Sequence, residues 1–278
     1  MGLRVNTNIA ALGASRTLRR TTNDLNRSLE RLSSGLRINR ARDDAAGLAI
    51  AEGFRSFVRG SVVAQRNAQD GIAFVQTADG ALEVTAGILQ RMRELAVQAA
   101  NGTYSNENRA SLQEEVDQLL EQIDDIANNT EFNGVQVLNS VASTTLQVGV
   151  LEGQTLEVTP VVATALALGI NAVDISTQAG ASAAITTINE ALNGGGAVDS
   201  VNALRATLGA QQNRLEFTVT TLQIQEENSA FAESQIRDAD IARETIDFTR
   251  NQILVSAGTS ILAQSNVIPQ TALQLLGG

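Results

Sequence analysis

From residue 50 to residue 99 the chain keeps a seven-residue beat with no proline. Ile50, Phe54, Phe57, Ser61, Ala64, Ala68, Gly71, Val75, Ala78, Leu82, Thr85, Leu89, Met92, Ala96 and Ala99 recur at alternating four- and three-residue spacing. That period predicts a single α-helix, roughly 75 Å long at about 1.5 Å per residue. A helix of that length needs partners along its side. The stripe is narrow and built largely from small residues, which lets neighbouring helices approach along a coiled-coil-like seam. A scaffold is expected here rather than a pocket.

Composition narrows the chemistry further. Aromatic residues make up 3% of a chain that is 43% hydrophobic, and Trp is absent. Cores must therefore be assembled from Leu, Ile, Val and Ala, as helix-on-helix packing allows. The absence of Cys removes disulfides, thiolate metal sites and a cysteine nucleophile. The absence of His removes the commonest metal ligand and the commonest general base near neutral pH. Paired acids at Glu114-Glu115 and Asp124-Asp125 read as the solvated face of a helix rather than a metal or acid/base site. No cofactor and no enzymatic activity are expected.

Charge is unevenly distributed. Residues 1–66 hold 12 of the 20 basic residues, all of them Arg, against 5 acids, a local balance of +7. The remaining 8 Arg face 25 acids, a balance of −17, for the total of −10. Solvated helix faces with scattered ion pairs are the expected reading of this asymmetry, and complementary lateral contact between copies is the alternative. The early arginines alternate with apolar residues and lack stacking aromatics, so nucleic acid is not an expected partner. No run of 18 apolar residues occurs, and no membrane insertion is expected. The opening MGLRVNTNIAALGASRTL lacks the apolar stretch and cleavage pattern of a signal peptide. If the protein leaves the cell, another route is expected.

Four regions follow along the chain. A first helix is expected up to about Asn39, with apolar stations Leu18, Leu25, Leu29, Leu32 and Leu36 and an interruption near Gly13. Arg40 to Asp44 breaks the pattern, with Asp43 placed as an N-cap and Asp44 in the first turn of the long helix. The turn cluster Asn101-Gly102-Thr103-Tyr104-Ser105-Asn106 then returns the chain into an antiparallel helix with the stripe Leu112, Val116, Leu119, Ile123 and Ile126. Asn133-Gly134 and Glu152-Gly153 punctuate β-branched, alternating segments, which is hairpin chemistry, and Pro160 is placed to end an edge strand. Residues 163–196 read as a turn-rich crossover with a short helix around Ile185, Ile188 and Leu192. From about Val198 the chain is helical again, with Leu204, Leu208, Leu215, Leu222, Ile236, Ile246, Ile253, Ile261 and Ile268 on its stripe. The expected fold is mainly α: a long antiparallel coiled-coil-like bundle with a small β-hairpin region at its tip and paired N- and C-terminal helices.

Several segments resemble bacterial flagellin. Arg31-Leu32-Ser33-Ser34-Gly35-Leu36-Arg37-Ile38-Asn39 with Asp43-Asp44-Ala45-Ala46-Gly47 is similar to that family's N-terminal signature. So are Gln90-Arg91-Met92-Arg93-Glu94-Leu95-Ala96-Val97-Gln98, Phe132-Asn133-Gly134-Val135, Gln212-Asn213-Arg214-Leu215, and the stretch from Gln252-Ile253-Leu254 to Gln264-Ser265-Asn266. The matches are long, correctly ordered and present in both halves. The large outer insert of many flagellins is reduced here to a short stretch after Pro160, so the chain resembles a near-minimal form.

The resemblance implies a structural subunit that self-assembles, in thousands of copies, into a secreted, extracellular filament for swimming. It implies an inner domain from residues 1–42 and 237–278, and a rod domain of 43–236 carrying the hairpin region at about 133–160 and the crossover at about 161–197. Leu25, Leu29, Leu32, Leu36, Ile246, Ile253, Ile261 and Ile268 are the candidate assembly core. The terminal segments are expected to fold on polymerisation. An export chaperone, a filament cap and hook-junction proteins are implied partners. By the same resemblance, host Toll-like receptor 5 is a possible partner through Gln90, Arg91, Glu94, Leu95, Gln98 and Glu115, with subunit contact as the competing role of that patch. Arg91 is expected to offer a planar donor fork and Leu95, four residues on, an apolar knob on the same helical side. The hook–filament junction protein of the same family is the alternative identity. An adhesin or enzyme on a coiled coil is the alternative from another class.

Overall fold

The computed structural model describes residues 8–159, 161–194 and 200–276, with side chains described as far as residue 267. Its elements in order are α1 (Ile9–Ser34), α2 (Ala45–Ala99), α3 (Asn106–Asn129), β1 (Glu131–Phe132), β2 (Val135–Gln136), β3 (Thr144–Gln147), β4 (Thr155–Val158), α4 (Gln178–Asn193), α5 (Val201–Arg237) and α6 (Ile241–Leu276). The fold is mainly α with two small antiparallel strand pairs, as the periodicities imply. Two compact units result: one from the chain's two ends, up to Val58 and from Glu227, the other from Arg59 to Glu226. Pro160 and Val198, each given a role from sequence, lie outside the described residues.

In the Arg59–Glu226 unit, the stripe of α2 is buried as its spacing demands. Ser61, Ala64, Ala68, Val75, Ala78, Leu82, Thr85, Leu89, Met92, Ala96 and Ala99 are all shielded from solvent. By length and composition α2 is also apolar enough to cross a membrane. Its apolar line, however, packs against the protein's own core, which accounts for that apolarity. Leu82, Leu89 and Met92 each contribute about 1.5–3 kcal/mol through burial, while the alanines contribute closeness.

The α2–α3 turn is held by a buried guanidinium. Arg109 donates from Nε to the Ala99 carbonyl at 2.7 Å and from Nη2 to the Asn101 carbonyl at 3.0 Å. It thereby satisfies acceptors that the end of α2 leaves open. Ser105 caps α3, accepting the Asn108 N–H at 3.3 Å. On α3, Val116 and Ile123 are fully buried, with Leu112, Leu119 and Ile126 half-buried beside them.

β1 and β2 form a hairpin across Asn133-Gly134, both with positive φ (51° and 77°). That pair of left-handed residues is what a tight two-residue turn requires. β3 and β4 pair in register from Thr144↔Val158 to Gln147↔Thr155. Asn67 on α2 donates to the Gln147 carbonyl at 2.8 Å and anchors this second hairpin.

The crossover is more ordered than its composition suggests. Val161, Ala163, Ala165, Leu168, Ile170, Val173 and Ile175 are buried along a turn-rich path. Two side chains of α3 hold it in place. Gln113 accepts the Ile175 N–H at 2.6 Å and donates to the Val173 carbonyl at 3.2 Å; Asp124 accepts the Ala165 N–H at 2.8 Å. The following helix, α4, is longer than the short one expected, with Thr177 as its N-cap and Ala181, Ala184, Ile188, Ala191 and Leu192 buried.

The unit made of the two ends corrects several expectations. α1 runs through Gly13 without interruption and stops at Ser34, not near Asn39. Gly35 takes the left-handed conformation (φ 72°), and its N–H returns to the Arg31 carbonyl at 2.8 Å. Leu36, expected on the helix, instead lies beyond it in an isolated bridge with Asp238. The N-cap of α2 is Asp44, which accepts the Gly47 N–H at 2.8 Å. Asp43 turns back and accepts the N–H groups of Asn39 and Arg40. At the start of α2 the burial line passes through Ala51, leaving Ile50 exposed.

Candidate assembly and recognition surfaces

α1 and α6 lie against each other, pairing the two ends of the chain as expected. Asn8 serves twice here. Its side-chain oxygen caps α1 by accepting the Ala11 N–H at 3.0 Å, and its amide donates to the Ser265 carbonyl at 2.7 Å. Arg31 stands 3.6 Å from Glu244, which is nearly buried. Where α1 ends, the Arg37 N–H donates to the Arg237 carbonyl at 2.7 Å and the Ala239 N–H to the Gly35 carbonyl at 2.9 Å. Arg237 continues to Glu52 on α2 at 2.9 Å.

Pairing covers only part of each stripe. Leu25, Leu32 and Leu36 are half-buried, whereas Leu29 is exposed. Ile246, Ile253 and Ile261 are each more than half exposed, with Ile253 at 63%. The side chain of Ile268 lies outside the described ones. Ile9, Leu12 and Leu254, absent from the candidate set, are exposed as well. Their signal was available: Ile9 and Leu12 stand three residues apart on one face of α1, and Leu254 stands seven before Ile261 on α6. Such a face is expected on a helix that is finished by another molecule.

The second candidate surface lies on α2 and α3. Arg91 bridges the two helices, donating from Nε to Glu115 Oε1 at 2.9 Å and from Nη1 to Glu94 Oε2 at 3.2 Å. Glu115 first, and Glu94 second, hold its guanidinium still more firmly protonated than usual. Gln98 donates to the Tyr104 hydroxyl at 2.8 Å. Gln90, Arg91, Glu94 and Gln98 are exposed and Glu115 is partly so. Leu95 is the correction: at 1% exposure it faces the core and offers no apolar knob beside Arg91. The four-residue spacing that suggested a shared side overlooked that Leu95 neighbours Ala96 on the buried line.

Comparisons with known proteins agree with this architecture. Residues 5–143 match the bacterial flagellin N-terminal helical region, and residues 193–276 match the bacterial flagellin C-terminal helical region. A flagellar filament 33 kDa core protein of Treponema phagedenis is 44% identical over 98% of this chain and 99% of its own length. A flagellin of Halalkalibacterium halodurans is 46% identical over the same shares of the two chains. The crystal structure of Bacillus cereus flagellin aligns with a TM-score of 0.50 at 34% identity, covering 56% of this chain and 88% of that one. Near-full-length identity together with both terminal helical regions shows that the chain belongs to the bacterial flagellin family, the structural subunits of the flagellar filament.

Proposed function

We propose that this chain polymerises by using the ends of neighbouring copies to finish its own. The exposed isoleucine line of α6, Ile246, Ile253 and Ile261, carries this reading. Each such side chain, already partly covered, forgoes about 1–2 kcal/mol that full burial against a neighbour would supply. Residues 1–42 and 237–278 form the inner, filament-core domain, and residues 43–236 form the rod domain.

In the free subunit the end segments bury too little apolar area to offset their ordering entropy, so they fold as the filament grows. Head-to-tail contacts that do not close a ring then extend an open helical filament of thousands of copies. Loosely ordered ends also suit passage through a narrow export channel. The export chaperone, filament cap and hook-junction proteins are its partners on the strength of the family resemblance. The protein acts as a structural subunit and not as an enzyme.

A second role rests on the Arg91, Glu94 and Glu115 cluster. In free monomer, Gln90, Arg91, Glu94, Gln98 and Glu115 present an exposed polar face for host Toll-like receptor 5, with Leu95 supporting it from beneath. In the filament the same face makes subunit contacts. Arg91→Ala in monomer is expected to weaken receptor signalling; undiminished signalling would remove this role.

Truncation tests the main reading. Removing residues 237–278 is expected to leave a helical rod that forms no filaments when seeded. Filaments of that truncation in electron micrographs would refute it. Amide exchange in the intact monomer is expected to be fast before about Asp43 and after about Arg237, and slow between Ile50 and Ala99.

A further inference from the structure

The Arg59–Glu226 unit carries two oppositely charged helix faces that do not meet within one molecule. On α2, Arg59, Val63 and Arg66 share one exposed side, and the two arginines form no ion pair among the described residues. Asp70 closes this ladder one turn further on. On α3, Glu114, Gln118, Glu121 and Asp125 share one exposed side, again with no ion pair among the described residues. Within the molecule α3 folds back against the far half of α2, as the Arg91–Glu115 bridge marks, and not against residues 59–66. What covers Gly60 is the β3–β4 connection, through Val150.

The two ladders match in pitch as well as in sign. Arg59 and Arg66 are seven residues apart, as are Glu114 and Glu121, which gives both pairs of charges a rise of about 10.5 Å. Each ladder carries an uncharged residue between its charges, Val63 on one and Gln118 on the other. In the single molecule water solvates each face. The complementary face of an identical molecule matches it in sign and pitch, which makes the contact heterologous and able to repeat without closing.

Building on the filament reading above, we infer that the arginine ladder of α2 docks antiparallel on the acidic ladder of α3 from a second copy, with Arg59 opposite Glu121 and Arg66 opposite Glu114, the direction that keeps Asp70 away from Asp125. The contact sets which face of the rod meets which, and its charge pairing selects the correct register between neighbours.

Charge reversal on the full-length chain tests this directly, with the critical concentration for seeded assembly as the readout. Arg59→Glu with Arg66→Glu, and separately Glu114→Arg with Glu121→Arg, are each expected to raise that concentration about tenfold or more. An equimolar mixture of the two variants restores both pairings, negative α2 on positive α3 and positive α2 on negative α3. The mixture is therefore expected to form filaments in which the variants alternate, near the wild-type concentration. Circular dichroism confirms that each variant keeps its helix content. Should a reversal unfold the rod, the milder Arg59→Gln with Arg66→Gln is expected to raise the concentration about two- to threefold. Variants that assemble alone like wild type would overturn the contact while leaving the filament reading intact. A mixture that stays unassembled would overturn the pairing of these two faces, and a wild-type chain that never assembles would overturn both.

Discussion

Arg205 on α5 grips Asp79 on α2 with two hydrogen bonds, Nε to Oδ1 at 2.7 Å and Nη2 to Oδ2 at 3.3 Å. Glu83 adds its carboxylate 3.7 Å from the same guanidinium. Asp79 first, and Glu83 after it, raise the Arg205 pKa above its usual value, against the opposing effect of burial. A planar fork meeting a carboxylate in this way fixes the register of α5 against α2. Both side chains remain about one-third open to water (33% and 38%), so solvent screens the pair. A double-mutant cycle with Asp79→Ala and Arg205→Ala is expected to give a coupling of about 0.5–1 kcal/mol that shrinks with added salt.

Glycines on α2 separate into two kinds. A β-carbon built at Gly80 or Gly87 meets nothing within 4 Å, whereas one at Gly60 lies 2.6 Å from Val150 Cγ1. Val150 is β-branched and stiff about its first torsion, so it cannot swing aside. Gly80→Ala and Gly87→Ala are each expected to stabilise by about 0.5–1 kcal/mol through helix propensity and reduced unfolded-state entropy. Gly60→Ala is expected to destabilise by about 1–3 kcal/mol through overpacking. Thermal unfolding of the three variants decides the sign.

Leu95 belongs to the core and Arg91 to the surface, although they stand one turn apart. Leu95→Ala is expected to cost about 2–5 kcal/mol by leaving a cavity beneath the α2–α3 contact. Arg91→Ala is expected to leave the melting temperature nearly unchanged. Equal melting temperatures for Leu95→Ala and wild type would contradict the placement of that side chain.

The Asp43 carboxyl sits below the usual aspartate range. The Arg40 N–H, 3.0 Å away, is the main cause; burial opposes it, and the Asn39 N–H at 3.2 Å adds to the lowering. A depressed folded-state pKa contributes stability that is complete above the unfolded value and is lost as pH falls through the folded value. In the filament, where the ends are folded, amide protection of Asn39 and Arg40 is therefore expected to decline below roughly pH 4. In Asp43→Asn that protection is expected to be weaker at neutral pH and nearly flat down to the same acidity. Hydrogen exchange on assembled filaments, read by mass spectrometry from neutral pH downward, shows both.

Regular helical burial was legible in the residues because a single set of neighbours flanks a long segment. From Ser61 to Ala99 the seven-residue line of α2 coincides with the buried one. Before Ser61 the helix enters the unit made of the chain's ends, its neighbours change, and Ala51 replaces Ile50 on the inside. The hairpin at Asn133-Gly134 was legible because only residues tolerant of positive φ turn that tightly. The crossover from Val161 to Ile175 was not, since its burial follows turns held by Gln113 and Asp124 from a distant helix. Local pattern carries no trace of such long-range donors and acceptors. Leu95 misled for a related reason: helical spacing places a residue on a side, and only packing decides whether that side faces inward.

Both ends of the molecule change direction at one level. α1 stops at Gly35, the break between α5 and α6 falls at Asp238, and Leu36 and Asp238 pair across that gap. Two chain segments some two hundred positions apart in sequence are thereby tied in length. An insertion or deletion in one would throw its kink out of step with the other. Natural relatives are expected to keep both spans fixed, or to lengthen and shorten them together, while tolerating wide variation in the loops after Pro160.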